Sequence, residues 1–160
     1  MTSRPRLTLP ALDPQFVAAA STSNYPAQFK PSVAGRAKKK LGDALGLKNF
    51  GVNLTTIEAG GASALRHWHL KQDEFVYVIS GELVLVSEAG EQLLTPGMCA
   101  GFSAGVADGH HLVNRSDRAA MYLEVGDRTP GDGANYPDDD LIARAVAGGW
   151  QFTTKNGEPY

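Results

Sequence analysis

Between residues 50 and 125 the chain runs in short stretches of Val, Ile, Leu, Phe, Tyr and Thr, cut at regular intervals by clusters of Gly, Pro, Asn, Asp and Ser. Apolar runs of this length bounded by turn formers predict an all-β unit, because short strands alternate with tight reversals. The pattern places strands over 52–58, 64–69, 74–79, 82–87, 91–95, 98–102, 110–114 and 119–125. Ser80-Gly81 separates Phe75-Val76-Tyr77-Val78-Ile79 from Leu83-Val84-Leu85-Val86, and this spacing predicts a tight hairpin. Both strands are apolar on both faces, whereas a half-buried antiparallel strand alternates. The outer face therefore needs a cover, either an N-terminal arm or a second subunit. The expectation is a homodimer in which strands pair or pack across the interface.

The flanks have a different texture. The N-terminal stretch, with Pro5, Pro10, Pro14, Pro26 and Pro31, holds no sustained period and reads as an extended arm, in which 16–20 has the makings of one helical turn. Glycines at 35, 42 and 46 permit at most a short helix with a basic face. Lys38, Lys39 and Lys40 read as a solvated face, with an anion or subunit contact as the sharper alternative. Past Gly126 the chain is polar and loop-like over 127–140. Residues 141–146 then read as a short helix capped by Asp138 or Asp139. Trp150 and Phe152 are expected to pack back on the β unit, since two aromatics on a free tail would stay exposed. The chain thus divides into an arm with a short helical segment packing on the β unit or a partner (1–49), the β unit (50–126) and a C-terminal extension (127–160), with no internal repeat.

Composition narrows the function. A chain of 160 residues can bury a core without disulfides or a structural metal, so any metal it holds is expected to serve function. Fifteen Lys and Arg against 17 Asp and Glu leave a formal net charge of −2, with no positive field to draw nucleic acid or an anionic membrane. Nothing has the pattern of a helix-turn-helix module. The lone Cys99 cannot form an intramolecular disulfide, which suits a reducing compartment, and it reads as a small buried hydrophobe. No apolar run approaches the roughly 18 residues of a membrane span, and prolines interrupt 1–14 where a signal peptide needs a continuous apolar stretch. A cytoplasmic location is expected.

The four histidines carry the chemistry, because they fall in two tight pairs, His67 with His69 and His110 with His111. At a spacing of two on a strand, His67 and His69 face the same way, about 7 Å apart. Glu74 opens the next strand, from which a carboxylate can reach the same point. Of the adjacent His110 and His111 only one can face inward, and a one-residue register slip exchanges them. Three imidazole nitrogens and one carboxylate oxygen suit Fe, Mn, Ni, Co, Zn or Cu and suit calcium poorly.

These residues match a family pattern. Gly61-x5-His67-x-His69-x4-Glu74-x6-Gly81 resembles the first cupin motif at every defined position. Gly97-x5-Ser103-x-Gly105-x4-His110-x3-Asn114 is similar to the second, with Ser103 in place of the usual proline and two extra residues within 106–109. The resemblance covers about 50–126. It implies a double-stranded β-helix of the cupin or jelly-roll type, an all-β barrel holding one divalent transition metal on His67, His69, Glu74 and His110. Residues 33–52 and 136–160 are similar to those of a bacterial single-domain subgroup whose members carry the label of sugar phosphate isomerase.

Three activities follow as expectations. The first is a metal-dependent isomerase or epimerase of a small hydroxy-carbonyl compound such as a sugar phosphate, with Glu74, if unligated, or Glu124 moving the proton. The second is an iron-dependent dioxygenase of a small enolisable compound. The third is a non-catalytic cupin that binds a metabolite. Tyr122 and Glu124 lie on the last strand, and one of them is expected to face the cavity. Arg36, Lys38 to Lys40, Arg115 and Arg118 are the candidates for an anion contact, while Arg66 and Trp68 read as packing or interface residues.

Overall fold

Residues 7–160 are described by the computed structural model; Pro5 and the rest of the arm's first six residues lie outside them. The described residues form strands β1 (Ala19–Ala20), β2 (Arg36–Lys40), β3 (Phe50–Ile57), β4 (Trp68–His69), β5 (Glu74–Ser80), β6 (Leu83–Ser87), β7 (Gly90–Leu94), β8 (Cys99–Phe102), β9 (His111–Val113), β10 (Ala120–Asp127), β11 (Gly133–Tyr136), β12 (Leu141–Val146) and β13 (Gly149–Thr153). They pair antiparallel in three sheets of order β1-β2-β3-β10-β5-β8, β13-β12-β11-β4 and β7-β6-β9. This is the all-β jelly-roll architecture expected. No helix among the described residues is long and apolar enough to cross a membrane.

Alternation along each strand decides what lies inside. On β5, Val76 and Val78 are buried while Phe75, Tyr77 and Ile79 are 41–44% exposed. The inward residues of β5, β6 and β10 meet in one core of Ile57, Val76, Val78, Leu83, Leu85, Leu94, Leu112, Ala120 and Tyr122. A second core joins Ala134, Tyr136, Leu141 and Ala143 to Tyr25, Phe29, Leu65, Trp150 and Phe152. Both aromatics of the tail are thus packed back, as expected, and the arm shares their cluster.

Five local expectations are corrected. Ser80-Gly81 closes no hairpin, because β5 pairs with β10 and β8 whereas β6 pairs with β7 and β9. The chain crosses between sheets there at Gly81, whose φ is +74 and where a Cβ would lie 2.7 Å from Ala120 Cα. The tight reversal falls one strand later, with Ser87 opposite Gly90 across β6 and β7. Residues 141–146 are a strand, not a capped helix: Leu141 and Ala143 are buried between β11 and β13, and Asp138 pairs with Arg66 instead. The basic segment is likewise a strand, since Arg36–Lys40 pairs along β3 and only Leu41–Ala44 is helical. Near residue 16 the helical turn is a short 3-10 turn, Pro14–Phe16, followed by β1. Finally, Cys99 is exposed on the outer side of β8, opposite Tyr77, rather than buried. At residues 36–40, 80–81 and 141–146, partner strands outside the local window settled the conformation.

Candidate metal centre

His67 and His110 are direct cross-strand partners: His110 N–H donates to His67 O at 2.9 Å and His67 N–H to His110 O at 3.2 Å. The non-histidine motif positions build this register. Asn114, fully buried, donates from Nδ2 to Ile57 O and to Arg118 O, and its backbone N–H donates to Gly61 O. A Cβ on Gly61 would meet Ile57 Cγ2 at 2.9 Å. The inserted loop contributes Asp108, whose carbonyl accepts from His110 Nδ1 at 3.0 Å.

His67, His69 and Glu74 come together, with one ligand atom of each within 4.8 Å of the others. His110 lies alongside, its Nε2 3.4 Å from Glu74 Oε2 and its ring stacked on Phe102. His111 instead donates from Nδ1 to Ala64 O at 2.9 Å.

The hydrogen bonds fix the tautomers. His67 Nδ1 donates to Leu65 O at 2.8 Å, His69 Nδ1 to Asp132 Oδ2 at 2.6 Å and His110 Nδ1 to Asp108 O. A carbonyl or carboxylate oxygen cannot donate, so in neutral rings the Nδ1 positions carry the protons and the Nε2 lone pairs are left over. Two such lone pairs and the Glu74 carboxylate lie within 4.8 Å of one another, with the His110 lone pair beside Glu74, an arrangement suited to a cation. Burial lowers the His67 pKa to about 4, which keeps that ring neutral. Burial alone would raise the Glu74 carboxyl, but the close approach of His110 Nε2 and the neighbouring imidazoles hold it well below the usual carboxylate range. Neutral imidazoles and an ionised carboxylate are the forms that ligate, so this cluster can hold a metal ion.

Three residues of the C-terminal extension wall the cluster. Asp132, 1% exposed, orients His69 and accepts from Lys71 N–H at 2.8 Å. Tyr136 stacks on His67 with centroids 5.6 Å apart, and Trp150 meets His69 edge-on. The sequence reasoning missed Asp132 and Tyr136. Asp132 is one of five aspartates between residues 127 and 140, and no spacing singles it out.

The cluster opens into a cavity of about 450 Å³. Tyr122 and Glu124 both face it, correcting the expectation that one would, since residues two apart on a strand share a face. Glu124 accepts from Lys38 Nζ at 2.7 and 2.9 Å, from Asn53 Nδ2 at 2.9 Å and from the Tyr122 hydroxyl at 3.1 Å. Burial and the Glu124 charge raise the Tyr122 pKa well above its ordinary value, so it stays a donor. Arg36, Lys38 and Lys40 line the cavity by alternation along β2, while Lys39 points the other way to Pro14 O. Arg115 pairs with Glu91, and Arg118 is 80% exposed beside Asp117; neither lines the cavity. Arg66 bridges Asp138 and Glu88.

Comparison with known proteins agrees with this geometry. The family model for the cupin domain matches residues 53–126. A cupin-superfamily sugar phosphate isomerase of Silicibacter pomeroyi is 46% identical, superposes with a TM-score of 0.91, and is matched over 94% of this chain and 96% of its own. A protein of Acidithiobacillus ferrooxidans named as a candidate sugar phosphate isomerase is 28% identical, with a TM-score of 0.71 over 85% of this chain and 94% of its own. A polyketide cyclase of Streptomyces resistomycificus, 18% identical over 76% of this chain and 82% of its own, shares the fold with a TM-score of 0.63. No curated protein matches the chain.

Proposed function

We propose that this chain, which belongs to the cupin superfamily, binds one divalent transition metal through His67, His69, Glu74 and His110 and isomerises or epimerises a small hydroxy-carbonyl compound such as a sugar phosphate. The observation that carries the reading is the set of Nε2 lone pairs and one carboxylate converging beside a cavity that also holds an unligated carboxylate, Glu124. The 46% identity to a sugar phosphate isomerase supports the substrate class. The protein acts as a cytoplasmic homodimer, its partner covering the apolar outer face of β5.

Bound there, the metal supplies a Lewis acid for a carbonyl or hydroxyl oxygen. Glu124 is the proton carrier. Its two oxygens accept four hydrogen bonds, two of them from Lys38, so it is freed when a ligand draws the Lys38 ammonium onto itself. Glu124 then takes the proton from the hydroxyl-bearing carbon and returns it to the former carbonyl carbon, while the hydroxyl proton passes to the former carbonyl oxygen. The composition of the substrate is unchanged. Tyr122 and Asn53 hold the carboxylate in place.

The test is elemental analysis of protein purified without chelator, followed by assay on a panel of aldose and ketose phosphates. Turnover is expected, with Glu124→Gln lowering it by about 10²- to 10⁴-fold at unchanged metal content. Stoichiometric iron with oxygen uptake on small enolisable compounds would replace the reading with a dioxygenase, and metal binding without turnover would replace it with a metabolite-binding cupin.

A further inference from the structure

Among the described residues, one cation of the cavity is half-buried and lacks a carboxylate partner. Lys38 is paired with Glu124, Arg128 with Asp43, and Lys40 is solvated at the edge of β2. Arg36, on the same face of β2, makes its only hydrogen bond from Nη1 to the backbone carbonyl of Ser63, a neutral acceptor. A guanidinium carries five N–H donors in a planar fork, and withdrawing it from water without an anion is costly. Ser23, Asn24 and Tyr25 of the arm line the same cavity. Tyr25 and Tyr136, both close enough to feel the Arg36 charge, meet edge-on with ring centroids 5.8 Å apart, and Tyr136 stacks on His67. Arg36 therefore stands across one tyrosine pair from the histidine cluster, within the same cavity.

We propose that Arg36 is the anion-binding end of this cavity, holding a compact oxyanion of the ligand, a phosphate monoester or a carboxylate, while the ligand's other end reaches the histidine cluster. This deepens the isomerase reading and rests on it only for the identity of the ligand. The arm and β2 lie outside the span matched by the cupin-domain model, so the subsite is assembled from segments that the barrel alone does not carry. The guanidinium fork matches two oxygens of such a group, which an ammonium at this position would not.

The probe is inorganic phosphate, titrated calorimetrically into the metal-loaded protein and into Arg36→Gln, Arg36→Lys and, as a surface control, Arg115→Gln. Saturable binding is expected in the parent protein, weakened about tenfold or more in Arg36→Gln, less in Arg36→Lys and not in Arg115→Gln. Circular dichroism and metal content report whether each variant is folded, and Arg36→Lys carries the test if Arg36→Gln is not. Equal binding in the Arg36 variants, or binding that vanishes on chelation whatever stands at residue 36, puts the phosphate on the metal and overturns the proposal. The two readings fail separately. Arg36-dependent phosphate binding without turnover of any sugar phosphate leaves the subsite standing and removes the isomerase; turnover of a sugar phosphate whose KM ignores Arg36→Gln does the reverse. Acetate in place of phosphate distinguishes the carboxylate from the phosphate arm.

Discussion

Asp132 Oδ2 lies 2.6 Å from His69 Nδ1, and the aspartate that makes this contact is almost fully buried. The pair reaches across the fold, from β4 to the turn before β11, so the C-terminal extension sets the orientation of a histidine in the barrel. Groups that hold the far nitrogen of a metal-binding imidazole fix both its tautomer and its angle. Asp132→Asn is therefore expected to weaken metal binding by about 10- to 100-fold while leaving the fold intact. Competition with a chromogenic chelator measures this, and parent-like affinity in Asp132→Asn would sink the role.

Removing the imidazoles themselves is a sharper cut. His67→Ala and His69→Ala are expected to lose metal without unfolding, because neither side chain belongs to the two apolar cores. The double variant, analysed for metal after purification, should contain none. Stoichiometric metal there would contradict the site.

The neutral state of His67 has a pH consequence. Its folded pKa of about 4 lies below the roughly 6.5 of an unfolded histidine, so the unfolded chain takes up this proton first as pH falls. The associated stability is complete above about pH 6.5 and is lost progressively down to about pH 4. The depressed Glu74 adds a loss in the same direction at lower pH. The melting temperature of metal-free protein should thus decline across that window, and less so in His67→Gln. A flat profile would argue that the ring is already solvated.

The outer face of β5 predicts assembly. Phe75, Tyr77 and Ile79 are exposed, with Val125 beside Phe75, and Leu123 and Cys99 flanking Tyr77 on the neighbouring strands. A continuous apolar surface of this kind is usually covered. Light scattering should give the mass of a dimer, halved by Tyr77→Glu or Ile79→Glu; a monomeric parent protein would refute it.

Much of this was legible along the chain. Short apolar runs cut by turn formers determined the strands of the barrel, because a run of that length between breakers is extended whatever its partner. The spacing of His67, His69 and Glu74 determined that they could meet, since a strand and one turn suffice to bring them round. Between His110 and His111 the sequence left a choice, and the cross-strand bridge to His67 places the ring of His110 against Glu74 and Phe102. Other features depended on partners distant in sequence. Leu141–Val146 carries a pattern that serves helix or strand, and only the neighbouring β11 and β13 make it a strand. Gly81 reads as a hairpin turn until Ala120 comes against it. Asp132 and Arg36 have ordinary local surroundings, and their meaning comes from His69 and from the missing carboxylate, both consequences of which segments fold together. Local periodicity is written into the chain because it needs only near neighbours; which surface meets which is a property of the closed barrel and its extension.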